Sequence, residues 1–246
     1  MANLGWNGST LSFGGGVAPL TDLHQPNDPA DFDTTGSTDG THTHGAGLPK
    51  NSFTASFLGS KCPIAGTCCA ITSNIGATGH QTTKTYAQAL ITQMSIQGRK
   101  DGRIEGNLTA MPGDSTLTAT TNTWTVASDL GFNDSTFSFA GTPLANILSA
   151  NYTSSAAAVE NVGAGGSDNL YTPGIPDESI TITVLGNPAL AAKAIGATVM
   201  SWTDGGSLGS WTAAKLMSTH PGGSLDGQVT TELVFKPILS TTTANG

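Results

Sequence analysis

The feature that most constrains the fold of this chain is a pattern that occurs twice. GWNGSTLSFGG, from Gly5 to Gly15, and GFNDSTFSFAG, from Gly131 to Gly141, are identical at seven of eleven positions and lie 126 residues apart. A chance match should end there, whereas a duplication should continue in the same order along the chain. The remaining sequence therefore decides between these two interpretations.

Two further blocks recur in the same order. GLPKNSFTASFLG (Gly47–Gly59) aligns with GIPDESITITVLG (Gly174–Gly186) at an offset of 127 residues. DGRIEGNLTAMP (Asp101–Pro112) aligns with DGQVTTELVFKP (Asp226–Pro237) at an offset of 125 residues. Three blocks in one order predict two copies of a single domain of roughly 120 residues, which is a usual domain size.

The composition indicates that each copy is an all-β domain, and we place the copies at residues 1–113 and 124–246. Charged residues make up 11% of the chain and hydrophobic residues 37%. A sequence poor in Leu, Lys and Glu offers little helix-forming material, whereas Thr-rich segments between turns favour short strands. One short helix is predicted in the second copy, where Asn187 and Pro188 supply an N-cap and a first-turn proline. The predicted class from the residues is therefore all-β, in two tandem copies.

The repeated blocks are typical of strands because large apolar residues alternate with small polar ones. Such alternation places every second side chain on the buried face of a strand. In the third block Asp-Gly lies between two alternating runs, which is the signature of a hairpin. The side chains predicted to face the core are Leu11, Phe13, Phe53, Ala55, Phe57, Leu90, Thr92, Met94, Ile96, Ile104, Leu108, Phe137, Phe139, Ile180, Ile182, Val184, Val229, Thr231, Leu233 and Phe235.

Two long polar segments separate the first strand of each copy from its Gly-X-Pro turn. They run roughly from Asp22 to Gly45 and from Ala150 to Gly174. Loops of this length inside a compact domain are uncommon unless they are functional, so we predict loops that become ordered on contact with neighbouring subunits. The candidates for assembly contacts are Asp31, Phe32, Asp33, His42, His44, Asn151, Tyr152, Leu170 and Tyr171.

The order of these motifs resembles that of bacteriophage tail tube proteins. That family has a strand similar to LSFGG and FSFAG, a long extended loop, a Gly-X-Pro turn into a strand such as SFTASF or SITITV, and a closing hairpin such as ITQMSIQGRKDGRIEGNLTAM. The resemblance covers most of both halves. It implies β-sandwich domains whose strands join neighbouring subunits in a closed ring, and duplicated members that assemble as trimers imitating a six-fold ring. Ring closure also removes exposed strand edges, which otherwise pair with other chains.

The resemblance implies a structural subunit of a phage tail, with no enzyme activity and no cofactor. Its partners would be further copies of itself, within and between stacked rings, and tail proteins such as the tape measure, the tail terminator and the tail tip. The protein would be made in the host cytoplasm and located in the virion tail. The alternatives are a tail-tip, terminator or capsid-decorating protein of the same fold, and a β-sandwich carbohydrate-binding or adhesive module framed by Trp6, Trp124, Trp202 and Trp211.

The net charge of −8 disfavours specific binding to nucleic acid, which needs clustered Lys and Arg. In a tube, an acidic and Ser/Thr-rich lining would repel DNA and let it pass, so we predict a lumen that is net negative at neutral pH. No apolar run approaches the roughly 20 residues of a membrane span, and the N-terminal residues lack the segments of a signal peptide. We therefore expect no membrane partner.

Two clusters suggest a metal site, and polar loop residues are the preferred interpretation of both. His42 and His44, with His24 upstream, offer imidazoles, but a zinc site needs three or four ligands in a suitable frame. The aspartates of NDPADFDTTGSTDG (Asn27–Gly40) offer oxygen ligands, but their spacing departs from that of an EF-hand loop and no glutamate closes it. We predict no bound metal.

The cysteines and one hydrolase-like block also have simpler interpretations. Cys62, Cys68 and Cys69 lack a fourth ligand nearby, and an odd number of cysteines disfavours a disulfide framework, so we predict reduced, buried thiols. Gly113-Asp114-Ser115 falls at the linker between the copies, and no nucleophile is paired with a base in a recognisable motif. The sequence therefore predicts no catalytic site.

Overall fold

The structure is a computed structural model, and it confirms the all-β class. It describes residues 8–13, 16–24, 29–33, 44–49, 52–59, 63–76, 82–114, 116–117, 119, 131–161, 170–188, 199–204, 207–223, 227–238 and 242–244. Most of these residues lie in strands, and their one helical segment is the 3-10 turn Phe132–Asp134. No helix in this part of the chain is long and apolar enough to cross a membrane. The helix predicted after Asn187 and Pro188 falls in residues 189–198, outside the described residues.

The first part of the described chain contains a closed β-barrel. Its strands are β1 (Thr10–Phe13), β2 (Gly16–His24), β3 (Pro29–Asp33), β4 (His44–Pro49), β5 (Phe53–Leu58), β6 (Cys68–Ile75), β7 (Thr82–Arg99) and β8 (Ile104–Pro112). The order around the barrel is β7–β6–β1–β2–β5–β8, and β8 pairs with β7 to close it. Strands β3 and β4 pair with each other as a separate two-stranded sheet.

The second part of the described chain extends the same sheet and adds another. Its strands are β9 (Ser135–Phe139), β10 (Thr142–Pro143), β11 (Ile147–Glu160), β12 (Tyr171–Leu185), β13 (Met200–Asp204), β14 (Ser207–Trp211), β15 (Ala214–Gly223), β16 (Val229–Pro237) and β17 (Thr242–Ala244). Strands β11, β12, β16 and β15 continue the first sheet outward from β7. The second sheet has the order β10–β9–β13–β14–β17.

The core includes nearly all the side chains that the sequence alternation predicted to face inward, together with others such as Ala18, Ile71 and Trp211. Nineteen of the twenty are buried, and the exception is Val229, which is half exposed at the start of β16. Aromatic rings hold the strands together, with the ring centroids of Phe13 and Phe57 5.4 Å apart and those of Phe139 and Phe235 4.9 Å apart. The predicted hairpin is confirmed as β7 and β8, joined by a turn in which Asp101 has a φ of 63°.

Gly106 gives a direct test of this packing because its backbone faces an aromatic ring. A Cβ at this position would lie 2.3 Å from Cζ of Phe57, which is closer than any real contact. We expect Gly106→Ala to lower the free energy of unfolding by about 1–3 kcal/mol through overpacking of the barrel core. Gly223→Ala is the matched control, because a Cβ there meets nothing within 4 Å. Urea unfolding of both variants checks this, and an equal effect of the two would contradict the packing.

Most described residues of the two segments predicted as long loops lie in strands, which corrects the loop assignment there, while residues 25–28, 34–43 and 162–169 lie outside the described residues. Asp31, Phe32 and Asp33 lie in β3, and His44 begins β4. Asn151 and Tyr152 lie in β11, Tyr171 begins β12, Leu170 precedes it, and His42 is outside the described residues. In the second segment, buried Ala156 packs beside the loop at Gly66, since a Cβ on Gly66 would lie at an ordinary contact distance of 3.8 Å from that of Ala156. The segment has few bulky apolar residues, and their scarcity disguised the strand.

Candidate functional site: open strand edges and a polar sheet face

The long strand β7 joins the two parts of the described chain. Its first half, Thr82–Leu90, pairs with β6, and its second half, Gln93–Arg99, pairs with β11. Both partners lie along the same edge of β7, because β8 occupies the opposite edge from Ala89 to Gly98. Strands β6 and β11 therefore follow each other end to end beside one strand.

The contact between β7 and β11 makes one continuous sheet of eight strands. Seven consecutive residue pairs, from Ser149 with Arg99 to Ser155 with Gln93, form this junction. Together with the neighbouring ladders it gives the order β2–β5–β8–β7–β11–β12–β16–β15. Because strand pairing rather than side-chain contact alone joins the two parts, their relation is fixed by main-chain hydrogen bonds.

In the described part of the chain, both ends of the eight-stranded sheet have an open edge. On β15, residues Ser218–Gly223 pair with β16 on one side, and no described strand pairs with their other side. On β2, residues Asp22–His24 pair with β5, and within the described residues the last contact on the other side of β2 is the hydrogen bond from the Leu20 N–H to the Ser9 carbonyl. Open edges expose unpaired N–H and C=O groups, which favours pairing with another chain. We call these two segments the β15 edge and the β2 edge.

One face of this sheet covers the core, and the other, which we call the polar face, carries mostly hydroxyl and amide groups. Many of these groups bond to one another across strands. Ser56 Oγ donates to Asn107 Oδ1 at 2.6 Å, and the hydroxyl oxygens of Thr153 and Ser179 lie 2.8 Å apart. The uncharged members include Thr54, Ser56, Gln93, Ser95, Gln97, Asn107, Thr109, Ser149, Asn151, Thr153, Ser155, Ser179, Thr181, Thr183, Ser218 and Thr230.

The described part of the polar face is close to electrically neutral and contains a shallow depression. Its depression, of ≈ 270 Å³, lies across β8, β7 and β11. Asp177 and Lys236 form an exposed ion pair with Nζ 2.9 Å from Oδ2. The charged members are four carboxylates, three cations and two histidines, namely Asp22, Glu105, Asp177, Glu232, Arg99, Lys215, Lys236, His24 and His220. Most of the chain's charge of −8 therefore lies away from this part of the face.

Beyond the reach of β7, strands β11 and β12 continue as a two-stranded arm that packs on the first barrel. At the base of the arm, where β11 still pairs with β7, the backbone N–H of Ala65 donates to Ser154 Oγ at 3.2 Å, and Ala156 of the arm lies beside Gly66 of the same loop. The N–H of Asp114 donates to the Tyr171 carbonyl at 3.0 Å. Gly113 forms a parallel bridge with Tyr171. The arm is thus held by a loop of the barrel and by the segment that follows β8.

Asp114 anchors this contact through its carboxylate. The backbone N–H and the hydroxyl of Thr116 donate to Oδ1 at 2.9 and 3.0 Å, and Asn161 Nδ2 donates to Oδ2. The hydrogen bond from the Thr116 backbone, followed by that from its hydroxyl, holds the pKa of Asp114 below its ordinary value of 3.8, with a smaller contribution from Asn161, while partial desolvation opposes the shift. The ionised carboxylate is therefore the form that the folded chain favours.

The depressed pKa predicts a pH dependence for Asp114→Asn. A folded-state pKa below the unfolded value contributes stability that is present above the unfolded value and is lost as the pH falls through the folded value. We expect the variant to be less stable than the wild type at pH 7, with the difference shrinking as the pH falls below 3.8. Urea unfolding at a series of pH values checks this. A difference that stays constant down to the acid limit would show that the carboxylate charge is not involved.

The remaining sequence candidates serve contacts within the chain. Asn151 lies at the junction with β7, opposite Gln97. The hydroxyl of buried Tyr152 donates to Glu178 Oε2 at 2.8 Å, and Leu170 O accepts the N–H of Asn161 at 2.8 Å. The structure gives only backbone pairing for the candidates in β3 and β4. None of the candidates from the second segment lies at an open edge.

A buried acidic residue, Glu178, is absent from the sequence candidates. It is 3% exposed and also accepts a hydrogen bond from Trp211 Nε1 at 3.2 Å. The sequence alternation could have identified it, because Glu178 lies on the same face of β12 as the buried residues Ile180 and Ile182. Trp211 is fully buried and so cannot frame a carbohydrate site as one alternative required. Trp6 and Trp124 lie outside the described residues.

The cysteines and metal candidates have plain structural positions. Cys68 and Cys69 are free and buried, as predicted, while Cys62 lies outside the described residues. Burial, with a smaller effect of Cys68, raises the pKa of Cys69 to about 12, so this thiol is unreactive at neutral pH. Within one chain's described residues, no three His, Cys, Asp or Glu side chains converge as metal ligands. Comparison of the chain with known protein-family models and with curated proteins finds no match.

Proposed function

We propose that this protein is the structural subunit of a bacteriophage tail tube, which assembles as homotrimeric rings that stack into a hollow conduit for DNA. The resemblance of the sequence motifs to those of tail tube proteins suggests this class of protein. The observation that carries the proposal is the pair of open edges, because their positions correspond to those of the strands that form the internal junction. The correspondence follows from the registers of pairing, taken one ladder at a time.

The registers support a duplication of the domain. Each residue pair of β5 with β8 becomes a pair of β12 with β16 when 127 is added to the first number and 125 to the second, so that Phe53 with Ala110 becomes Ile180 with Phe235. Adding 125 to both numbers converts every pair of β7 with β8 into a pair of β15 with β16. These offsets are those of the repeated sequence blocks, so the strand pairing and the sequence repeat agree.

The irregularities in the ladders recur at the same places. The ladder of β2 with β5 is interrupted between Leu20 and Asp22, and that of β11 with β12 between Ile147 and Ser149, which is again a shift of 127. The four residue pairs of β3 with β4 become four pairs of the β11–β12 arm under the same shift. Bulges are specific local features, so their coincidence supports a common ancestor for both copies.

The same shifts predict how two chains join. Strand β15 is equivalent to the second half of β7, and β2 is equivalent to β11. Since β7 and β11 pair with each other inside one chain, the equivalent pair of β2 and β15 would form between two chains. Ala150 opposite Gly98 predicts Leu23 opposite Gly223 of the next chain. Asn151 opposite Gln97 predicts His24 opposite Gly222. The β2 edge of one chain thus pairs with the β15 edge of its neighbour.

This head-to-tail contact closes a ring when its rotation matches that of the internal junction. Three chains would contribute 24 strands, eight from each. With strands about 4.8 Å apart and tilted by about 40°, the barrel would have a backbone diameter of about 50 Å, wider than a DNA duplex. The polar face would line this lumen, because the cores of both copies lie on the opposite face of the sheet.

The lining would let DNA pass without specific binding. Hydroxyl and amide groups that bond to one another offer few free donors to phosphate, and the few cations are matched by carboxylates. Passage of DNA would depend on the low charge of this lining more than on repulsion of the phosphates. This refines the expectation of a lumen that is net negative. The subunit would be located in the virion tail, with tape measure, terminator and tail-tip proteins as its partners, and no part of this role requires enzyme activity.

Negative-stain electron microscopy of the purified protein tests the proposal. We expect rings with an open centre, and tubes of stacked rings as the protein concentration rises. Rings that never stack would favour a tail-tip, terminator or capsid-decorating role. Monomers alone at every concentration, measured in parallel by light scattering, would overturn the assignment.

A further inference from the structure

We propose that a divalent transition-metal ion such as Zn²⁺ binds where the β2 edge of one chain meets the β15 edge of the next. The ligands are His24 from one chain, and His220 and Glu232 from its neighbour. This inference rests on the ring proposed above. It identifies a chemical group that would stabilise the contacts between separate chains.

Two of the ligands are already placed together within one chain. His220 on β15 lies opposite Glu232 on β16, with Nδ1 3.6 Å from Oε1. Their side chains are 68% and 49% exposed, so both are accessible on the polar face next to the β15 edge. Imidazole nitrogen and carboxylate oxygen are common zinc ligands. A third ligand from another chain would give the zinc ion three protein ligands, and water could occupy the fourth position.

The proposed register brings His24 to this pair. His24 would stand opposite Gly222, and His220 lies two residues from Gly222 on the same face of β15. Diagonal neighbours across two strands have their Cα atoms about 7–8 Å apart, with the Cβ atoms somewhat closer, and long side chains reach across this distance. Gly222, which would stand directly opposite His24, has no side chain to block the imidazole of His24 on that side. Two histidines on adjacent strands can therefore share one ion.

The internal junction has the same arrangement of positions but different chemistry. Asn151, Ser95 and Asn107 stand there in the places of His24, His220 and Glu232. These side chains are neutral, and Ser95 and Asn107 line the depression of ≈ 270 Å³ on the polar face. The chain itself fixes the internal junction, so no further link is needed there. Metal-ligating side chains occupy these positions only at the contact that must form between chains.

The surroundings favour a cation. Asp22 lies two residues before His24 on the same face of β2 and adds a second carboxylate to the contact. The cation on β16, Lys236, is four residues from Glu232 and is paired with Asp177. A divalent ion bound there would offset part of this negative charge and link the two chains directly.

Assembly in the presence and absence of Zn²⁺ tests the proposal. The protein is purified in a chelator and assembled with and without ZnCl₂, and ring formation is followed by light scattering and electron microscopy while bound zinc is measured by mass spectrometry. With free zinc at about 100 times its dissociation constant, linkage raises the association constant about 100-fold per contact. We expect one zinc ion per chain in rings and none in monomers.

The variants His24→Gln and His220→Gln are expected to assemble without responding to zinc. Asn151→Ala, at the position in the internal junction that corresponds to His24, should keep the wild-type response. Rings that form equally well with and without zinc, and retain none, would overturn the metal site but leave the tail tube proposal intact. A zinc response that persists in both histidine variants would also overturn the site. Absence of rings under every condition would contradict the proposed function itself.

Discussion

Oxidation of a variant with His24→Cys and Gly222→Cys is expected to link the chains covalently into closed trimers. These two residues are predicted to lie opposite each other between chains, as Asn151 and Gln97 do within one chain. Directly opposed residues in an antiparallel pair have their Cα atoms about 4.5–5.5 Å apart, inside the range that a disulfide spans. Both positions lie on the solvent-accessible polar face. Non-reducing electrophoresis should show dimers and then trimers, with no larger species at completion.

Two further variants control this experiment for register and for chemistry. His24→Cys with Pro221→Cys moves one thiol to the opposite face of β15, so its cross-linking should fall sharply. Asn151→Cys with Gln97→Cys should form the equivalent bond inside one chain and leave the protein monomeric on the gel. All of these variants also carry Cys62→Ser, so that Cys62 cannot take part in the cross-link. Cys68 and Cys69 are left in place because both are buried. Equal cross-linking of both His24 pairs would contradict the proposed register.

The buried faces of the strands could be predicted because the information is local. Alternation along a strand depends only on neighbouring residues, so Ile180, Ile182 and Val184 indicate their burial without knowledge of their partners. The hairpin of β7 and β8 was predictable for the same reason, because Asp101 and Gly102 lie between two alternating runs. Such features need no knowledge of tertiary structure.

The open edges could not be predicted because pairing is non-local. Nothing in the sequence of β7 states that β6 pairs with its first half and β11 with its second. The length and polarity of the segment around Asn151 favoured a loop, since strands are usually recognised by bulky apolar residues. In the structure its small residues are covered by a neighbouring loop at Ala65 and Gly66, which supplies the burial that bulk would otherwise supply. The composition also does not say which surface carries the charge. Although the chain has a net charge of −8, the described part of its polar face is nearly neutral.

Replacement of Glu178 is expected to cause the largest loss of stability of any single change considered. Tyr152 Oη and Trp211 Nε1 both donate to the same oxygen, Oε2, at 2.8 and 3.2 Å, and all three side chains are buried. Glu178→Ala removes this shared acceptor and leaves a cavity between two aromatic rings whose centroids lie 6.3 Å apart. Each buried donor deprived of an acceptor costs about 1–3 kcal/mol, so we expect a loss of about 2–5 kcal/mol. Thermal unfolding of the unassembled protein measures it.

The convergence of both donors on one oxygen makes Glu178→Gln an informative control. Glutamine retains one carbonyl oxygen, which can occupy the place of Oε2 and accept from both Tyr152 and Trp211. It should therefore lose only about 1 kcal/mol, while Glu105→Ala, an exposed carboxylate on β8, should change the stability by less than about 0.5 kcal/mol. If glutamine were as destabilising as alanine, one retained acceptor oxygen would not be enough, and the explanation by a shared acceptor would be wrong. Because β12 forms part of the sheet that would line the ring, loss of this anchor should also reduce assembly, and the reduction should follow the order of stability: alanine, then glutamine, then wild type.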